Sequence, residues 1–216
     1  SFVRSLPKHW ATAPIYAKGF VLSDGTKAKG KSPLGRAAHE VVSPERTAQY
    51  IENAPETFVA VGVYSGTRSG GLVIFDVDAN LGAIEEKWGK DLETAPRITS
   101  PKKNAAKFLF VVPKEDWLTV ADLSHAAGGH EGWEVLWGRQ GLLFGAYKDQ
   151  GEYTFHGDPN QVPTAPEWLL ERMREQYRKI HQRDTGKRLK DTRYSNRSKE
   201  EKIEIARSCL SVIEPR

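Results

Sequence analysis

The sequence contains a single cysteine, Cys209, among its 216 residues. One cysteine cannot form an intramolecular disulfide, and it leaves a cysteine-based zinc site without support. The six histidines show no metal-ligand spacing, and His125 and His130 lie in a glycine-rich stretch typical of solvated side chains. We therefore expect no zinc, and the composition fits a reducing cytoplasm.

Long hydrophobic runs are also absent. The longest apolar runs lie around residues 72–75 and 108–113, which is the length of a strand. A membrane helix needs about 20 apolar residues, so the sequence excludes a transmembrane span, and we expect no membrane partner.

The net charge is only +4, but the basic residues are unevenly distributed. The segment 172–199 holds eleven of the 32 lysines and arginines, whereas its acidic residues are Glu175, Asp184 and Asp191. The basic residues of this segment are Arg172, Arg174, Arg178, Lys179, Arg183, Lys187, Arg188, Lys190, Arg193, Arg197 and Lys199. Such a run is typical of a solvated helix and linker, and equally of a surface that contacts a phosphate backbone.

The apolar patterns predict an α+β fold with a mixed, largely antiparallel sheet and flanking helices. Helices are predicted to begin near Ser43, Asn80 and Thr164, the second ending near Gly89, and the residues up to Gly35 are predicted to be irregular. Strands are predicted over 58–64, 71–76, 97–100, 107–112, 133–137 and 142–146. We expect the last two to form a hairpin through 138–141. The sequence also predicts a domain organisation: a globular domain over 1–182, a basic linker over 183–197 and the start of a further helical segment over 198–216.

Two carboxylates at the end of a buried strand are the most informative feature. The run Gly71–Phe75 is apolar, and Asp76 and Asp78 follow it with Val77 between them. Because alternate strand residues share a face, both acids point to one side of the sheet. Two carboxylates so placed repel each other unless a cation lies between them, which predicts a divalent metal site.

Three other interpretations of this acidic pair stay open. The acids could be solvated or cap the following helix, for which Asn80 is a comparable candidate. A phosphatase of the haloacid dehalogenase type would use Asp76 as a covalent nucleophile, although Ala79-Asn80 stands where such sites usually have Gly-Thr. A glycosyltransferase would use the pair to hold the metal of a nucleotide sugar.

Further residues in the sequence fit metal-dependent phosphoryl transfer, which needs carboxylates for cations and donors for a triphosphate. Glu134 lies between apolar residues of a predicted strand, where an unpaired carboxylate is costly. Donor candidates follow the acidic pair in the order Ser100, Lys102, Lys107 and Arg139.

The order of these motifs resembles the primase-polymerase (prim-pol) group of the archaeo-eukaryotic primase superfamily. Residues 71–78 are similar to its acid-x-acid motif, residues 99–110 to its second motif, and residues 133–135 to its third, a hydrophobic-acid motif. The resemblance extends over about residues 45 to 175. In the second motif the family has a histidine where this chain has Lys107, which keeps a charged donor on a longer stem.

The resemblance implies an RRM-like catalytic core and a DNA primase-polymerase that transfers nucleotides from (d)NTPs on a DNA template or primer. It implies that Asp76, Asp78 and Glu134 coordinate two Mg²⁺ or Mn²⁺ ions, and that Lys107, Ser100, Lys102 and Arg139 bind the triphosphate. It also implies a phage or plasmid replication protein, in a bacterial cytoplasm, with a helicase or a C-terminal primase domain in a longer chain. An inactive nucleic-acid-binding module is the non-enzymatic alternative.

Overall fold

The computed structural model describes residues 2–29, 31–34, 42–123, 132–146 and 151–188, with side chains described up to residue 182. These residues form the helices α1 (Phe2–Ser5), α2 (Pro44–Asn53), α3 (Leu81–Leu92) and α4 (Glu167–Arg188), and short 3-10 helices at Thr67–Ser69 and Lys114–Asp116. The strands are β1 (Thr12–Tyr16), β2 (Phe58–Tyr64), β3 (Leu72–Val77), β4 (Arg97–Thr99), β5 (Ala106–Val111), β6 (Trp133–Leu136), β7 (Gln140–Ala146) and β8 (Glu152–His156).

The eight strands form one sheet in the order β1-β2-β7-β8-β4-β5-β3-β6. Every pairing between these strands is antiparallel. The α+β class with a largely antiparallel sheet is therefore confirmed. The strands predicted over 97–100 and 107–112 are present as β4 and β5, which pair with each other in a register that aligns Arg97 with Phe108.

The prediction that β6 and β7 form a hairpin is wrong. β6 pairs with β3, whereas β7 pairs with β2, although residues 137–139 alone connect the two strands. Three residues span about 10 Å, so the sheet must curl to bring these strands near each other. Ser65 stabilises this corner, because its backbone N–H and its hydroxyl both donate to the carbonyl of Arg139, at 2.9 and 2.8 Å.

Strand β3 has a core on each of its faces, which explains its unbroken apolar sequence. Val73, Phe75 and Val77 belong to one buried cluster, which also contains residues of α3 and α4. Leu72 and Ile74 belong to a second cluster, together with residues of β1, β2 and β7. Asp76 follows Leu72 and Ile74 on the face of the second cluster, at its edge.

The N-terminal region differs from the prediction of an irregular arm. It contains α1 and strand β1, which pairs with β2 at the edge of the sheet. Val3, Leu6 and Trp10 of this region are buried in the second cluster. Strand β1 is missed from sequence because Pro14 and a neighbouring lysine-rich stretch interrupt the usual strand pattern.

The predicted helix starts are partly confirmed. Ser43 caps α2, since its hydroxyl oxygen accepts the backbone N–H of Arg46 at 3.3 Å. Asn80 precedes α3 in a left-handed conformation, without a side-chain cap, and the helix continues past Gly89 to Leu92. Helix α4 begins at Glu167 and not at the predicted Thr164, which instead forms a β-bridge with Val111.

Helix α4 extends to Arg188, which is six residues into the segment predicted as a linker. The remainder of that linker and the predicted helix over 198–216 lie outside the described residues. Contacts between residues divide the chain into two units, Ser1–Gln176 and Tyr177–Arg216. The domain boundary predicted at residue 182 stays a prediction. Among the described helices, none has the length and apolar character required to cross a membrane.

A bidentate ion pair connects α4 with the second 3-10 helix. The Arg174 guanidinium donates through Nε and Nη2 to the two oxygens of Asp116, at 3.0 and 2.9 Å. Both side chains are partly buried. The hydrogen bonds from Arg174 lower the pKa of Asp116 below its usual value.

We predict that Asp116→Asn lowers the free energy of unfolding at neutral pH by about 1 to 2 kcal/mol, because charge-assisted bidentate pairs are strong. A carboxyl with a lowered folded pKa stabilises the protein above its usual pKa of about 4, and this contribution is lost as the pH falls through the lowered value. The difference between variant and parent should therefore shrink below about pH 4.

Urea unfolding at neutral and acidic pH measures this difference. Glu115→Gln is the matched control, since this neighbouring carboxylate is exposed, and it should change stability little at either pH. A difference for Asp116→Asn that is equal at both pH values would contradict the prediction.

Candidate active site

Three ionisable residues lie in one row across three neighbouring strands. Asp76 of β3 is directly opposite Lys107 of β5 on one side and Glu134 of β6 on the other. Directly opposite residues of antiparallel strands project from the same face. The row continues apolar ladders of the same face, such as Leu109, Ile74 and Leu136.

The acids that the sequence singled out come together in space. Asp76, Asp78 and Glu134 each offer a carboxylate oxygen, and these atoms lie within 4.8 Å of one another. Asp78 directly follows β3, where its backbone N–H donates to the carbonyl of Gly132 at 2.8 Å. Asp76 is 8% exposed, so its charge is largely shielded from water.

The donor set suits a hard divalent cation. All three ligands are carboxylate oxygens, which Mg²⁺ and Mn²⁺ prefer, and neither histidine nor cysteine belongs to the cluster. The spread of 4.8 Å is close to the distance of about 4.2 Å between two opposite ligands of Mg²⁺. The residues therefore fit a magnesium or manganese site with little rearrangement.

Each of the three acids also has a basic partner. Lys107 Nζ forms an ion pair with Asp76 Oδ2. Lys102 Nζ lies 3.3 Å from Asp78 Oδ1, and Arg139 Nη1 lies 3.1 Å from Glu134 Oε2. The cations that the sequence predicts as triphosphate ligands are thus the counter-ions of the predicted metal ligands.

The three ion pairs differ in burial. The side chains of Lys107 and Asp76 are 6% and 11% exposed, whereas that of Lys102 is 48% exposed. The Lys107 ammonium also lies 5.7 Å from the ring centroid of Tyr153, which is buried. A buried pair is costly to break, whereas an exposed pair contributes little to stability.

A cavity of about 210 Å³ opens over this cluster. Asp76, Lys107, Glu134 and Arg139 line it. Its other lining residues are Lys31, Leu136, Gln140, Gly141 and Leu142. At Gly141 a Cβ would lie 2.6 Å from Ile74 Cδ1 and 3.3 Å from Leu136 Cδ1, so a larger residue would require these core side chains to shift.

Sequence reasoning missed Lys31 and Gln140. The amide of Gln140 donates to the backbone carbonyl of Lys31 at 3.4 Å, which connects the N-terminal region to β7. The only signal for Lys31 was the lysine-rich stretch around it, and a sequence does not show which strand such a stretch reaches. Gln140 occupied a predicted turn and gave no signal.

Ser100 differs from the other predicted triphosphate ligands. Its hydroxyl oxygen accepts the backbone N–H of Lys102 at 3.2 Å, and it is not among the residues that line the cavity. It shapes the loop between β4 and β5, which carries Lys102 toward Asp78. Lys102 itself pairs with Asp78, outside the cavity lining.

Comparison with known families gives a match over most of the chain. The family described as "Prim-Pol: Bifunctional DNA primase/polymerase, N-terminal" matches residues 4–168. The matched region includes Asp76, Asp78, Lys107 and Glu134, and it starts about forty residues before the resemblance seen in the motifs. No curated protein matches the chain.

We predict that Lys107→Met lowers the free energy of unfolding by about 3 kcal/mol in the absence of divalent metal, because it leaves the Asp76 carboxylate buried, unpaired and opposite Glu134. Lys102→Met should cost less than about 1 kcal/mol, since its pair is exposed. Urea unfolding measures both.

Urea unfolding with added Mn²⁺ tests whether the carboxylate cluster binds a divalent cation. Ligand binding to the folded state raises stability, and Lys107→Met removes a competitor for Asp76, so Mn²⁺ should stabilise this variant more than the parent. Equal losses for the two lysine variants, or no effect of Mn²⁺ on either, would contradict the arrangement described above.

Proposed function

The chain belongs to the Prim-Pol family of bifunctional DNA primase/polymerase N-terminal domains, and from this membership we propose that it catalyses template-directed nucleotidyl transfer from (d)NTPs. The observation that carries the proposal is the carboxylate cluster of Asp76, Asp78 and Glu134, which the register of three strands places beside a cavity lined with basic side chains. Nucleotide addition needs both groups in one place.

In this proposal the three acids hold two Mg²⁺ or Mn²⁺ ions. When bound, such ions stabilise negative charge on the phosphates during attack by a 3′-hydroxyl and departure of pyrophosphate. Asp76, between Lys107 and Glu134 in the sheet, has the most constrained position of the three acids. A rigid sheet holds ligands more precisely than a loop does.

The basic residues have two roles in the proposed reaction. Without substrate, Lys107, Lys102 and Arg139 neutralise the three acids. When a nucleotide and its cations bind, these side chains exchange a carboxylate oxygen for a phosphate oxygen. The charge of the site stays nearly balanced, because the cations and the triphosphate carry opposite charges. This exchange avoids leaving a buried charge unpaired.

Lys107 occupies the place of the histidine in the family's second motif. Its ammonium keeps hydrogen-bond donors and a positive charge at this position, and it lies between Asp76 and the Tyr153 ring. We assign it to hold Asp76 in place and then to bind the triphosphate. Arg139 and Lys102 are assigned to the same ligand, whereas Ser100 orders their loop.

The wider context follows from the resemblance alone. A phage or plasmid replication protein, with a helicase or C-terminal primase segment after the catalytic domain, stays a prediction. The phosphatase and glycosyltransferase interpretations gain no support from the family match. An inactive nucleic-acid-binding module is the alternative to test.

We predict that Asp76→Asn, Asp78→Asn and Glu134→Gln each reduce primer extension by roughly 10² to 10³-fold, as expected for loss of a principal electrostatic contributor. Asp122→Asn is the matched control, because this acid lies 3.8 Å from Arg139 but outside the carboxylate cluster. It should change the rate less than about threefold.

The assay uses a labelled primer on a single-stranded template overhang, with dNTPs or NTPs and either Mg²⁺ or Mn²⁺. If the folded parent binds DNA but incorporates no nucleotide with either metal, the chain is a binding module and the proposal is wrong. Hydrolysis of a phosphomonoester that requires Asp76 but not Glu134 would instead indicate the phosphatase.

A further inference from the structure

A small basic hairpin lies in the N-terminal region, over residues 18–29. The N–H of Gly19 donates to Ala28 O, that of Ala28 to Phe20 O, and that of Leu22 to Thr26 O, at 2.8 to 2.9 Å. Asp24 closes the turn, because its carboxylate accepts the backbone N–H of Thr26 at 2.9 Å. The hairpin is therefore an ordered projection from β1.

The hairpin exposes positive charge. Lys18, Lys27 and Lys29 are all exposed, and Asp24, the acid of this segment, is engaged in its turn. Three lysines on one short projection create a local positive potential, which attracts polyanions. The next described residue is Lys31, also exposed, so the charge continues toward the cavity.

The hairpin also exposes apolar groups. Val21 is 57% exposed and Phe20 is 37% exposed. The Phe20 ring stacks on Tyr16 with centroids 5.1 Å apart and an angle of 11° between the planes. One face of Phe20 is thus supported by Tyr16. An exposed aromatic ring among lysines is the arrangement that proteins use to bind single-stranded nucleic acid.

The position of the hairpin connects it to the carboxylate cluster. Lys31 lines the same cavity as Asp76 and Glu134, and its carbonyl accepts the hydrogen bond from Gln140. A nucleic acid strand with a reacting nucleotide in the cavity would continue past Lys31 onto the hairpin. Continuity with a cavity that carboxylates and basic side chains line favours a nucleic acid over an acidic protein or a lipid surface.

Two arginines of the other basic segment, Arg172 and Arg174, have partners within the fold. Arg174 is paired with Asp116 and Glu167, and the Arg172 guanidinium lies 5.2 Å from the ring centroid of Trp133. These two side chains stabilise the fold. The hairpin is favoured for phosphate contacts by its position, because the Lys29 N–H donates to Ser32 Oγ at 3.0 Å and the intervening Lys31 lines the cavity.

We propose that the basic hairpin, residues 18–29, binds the single-stranded template or primer beside the cavity, with Lys18, Lys27 and Lys29 at phosphates and Phe20 stacked on a base. The inference rests on the proposed function, since it places a nucleic acid strand in the cavity. The inference adds a nucleic-acid-binding surface that precedes, in the sequence, the three motifs on which the proposed function depends.

Binding of a fluorescent single-stranded oligothymidylate, followed by anisotropy at several salt concentrations, tests the lysines. The triple variant Lys18→Gln/Lys27→Gln/Lys29→Gln should lose affinity about tenfold or more at low salt, and its log–log salt slope should be smaller by about two. The matched control is Lys87→Gln/Lys90→Gln/Lys114→Gln, which removes the same charge from exposed lysines on α3 and the second 3-10 helix.

A second variant, Phe20→Ser, tests the stacking contact separately. It should weaken binding about tenfold, as loss of one stacked base does, with the salt slope of the parent. Circular dichroism and urea unfolding verify that the variants are folded. An affinity and slope of the triple variant equal to those of the control would overturn the proposal, as would lysine-dependent binding to anionic vesicles without an effect on the oligonucleotide.

The two proposals fail in different ways. Hairpin-dependent oligonucleotide binding by a parent that extends no primer supports the surface and rejects the catalysis. Primer extension that is equal in the parent and the triple variant, at template concentrations below saturation, rejects the surface and supports the catalysis.

Discussion

The ion pair between Lys107 and Asp76 is the interaction on which the site depends. Both side chains are buried, so neither charge is stable there without the other. A slip of one residue between β3 and β5 would turn one of these two side chains toward the apolar cluster beneath α3 and α4 and leave the other unpaired, at the cost of burying charge among aromatic rings. The pair therefore specifies the register of β3 and β5, and Asp76 in turn brings Glu134 of β6 into the same row.

The register of β3, β5 and β6 places the same residues at the edge of the packed core and in the candidate active site. The row of Lys107, Asp76 and Glu134 ends the apolar ladders of the second core cluster, so the carboxylates lie at the edge of a packed region and face a cavity. The pairing of every acid with a base keeps the cluster neutral before substrate arrives. A binding site with such exchangeable partners can accept a cation and a polyphosphate together, which is what nucleotidyl transfer requires.

Much of the site could be predicted from the sequence, because it follows from local rules. The alternation of side chains along a strand put Asp76 and Asp78 on one face, and the cost of an unpaired acid in an apolar strand pointed to Glu134. The partners of the strands could not be predicted in this way. The sequence favoured a hairpin of β6 and β7 because a short glycine-containing turn separates two apolar strands. In the curled sheet, β6 pairs instead with β3, and β7 pairs with β2.

The sequence by itself determined the α+β class, the strand that carries the acidic pair, the cap of α2 at Ser43 and the candidate acids and bases. The tertiary structure decided which base pairs with which acid, the inclusion of β1 in the sheet, and the approach of Lys31 and Gln140 to the cavity. The physical reason is the range of the forces involved. Propensity, alternation and capping act between near neighbours in the chain, whereas strand pairing and the curl depend on contacts between residues far apart in it, and only the packed molecule selects among them.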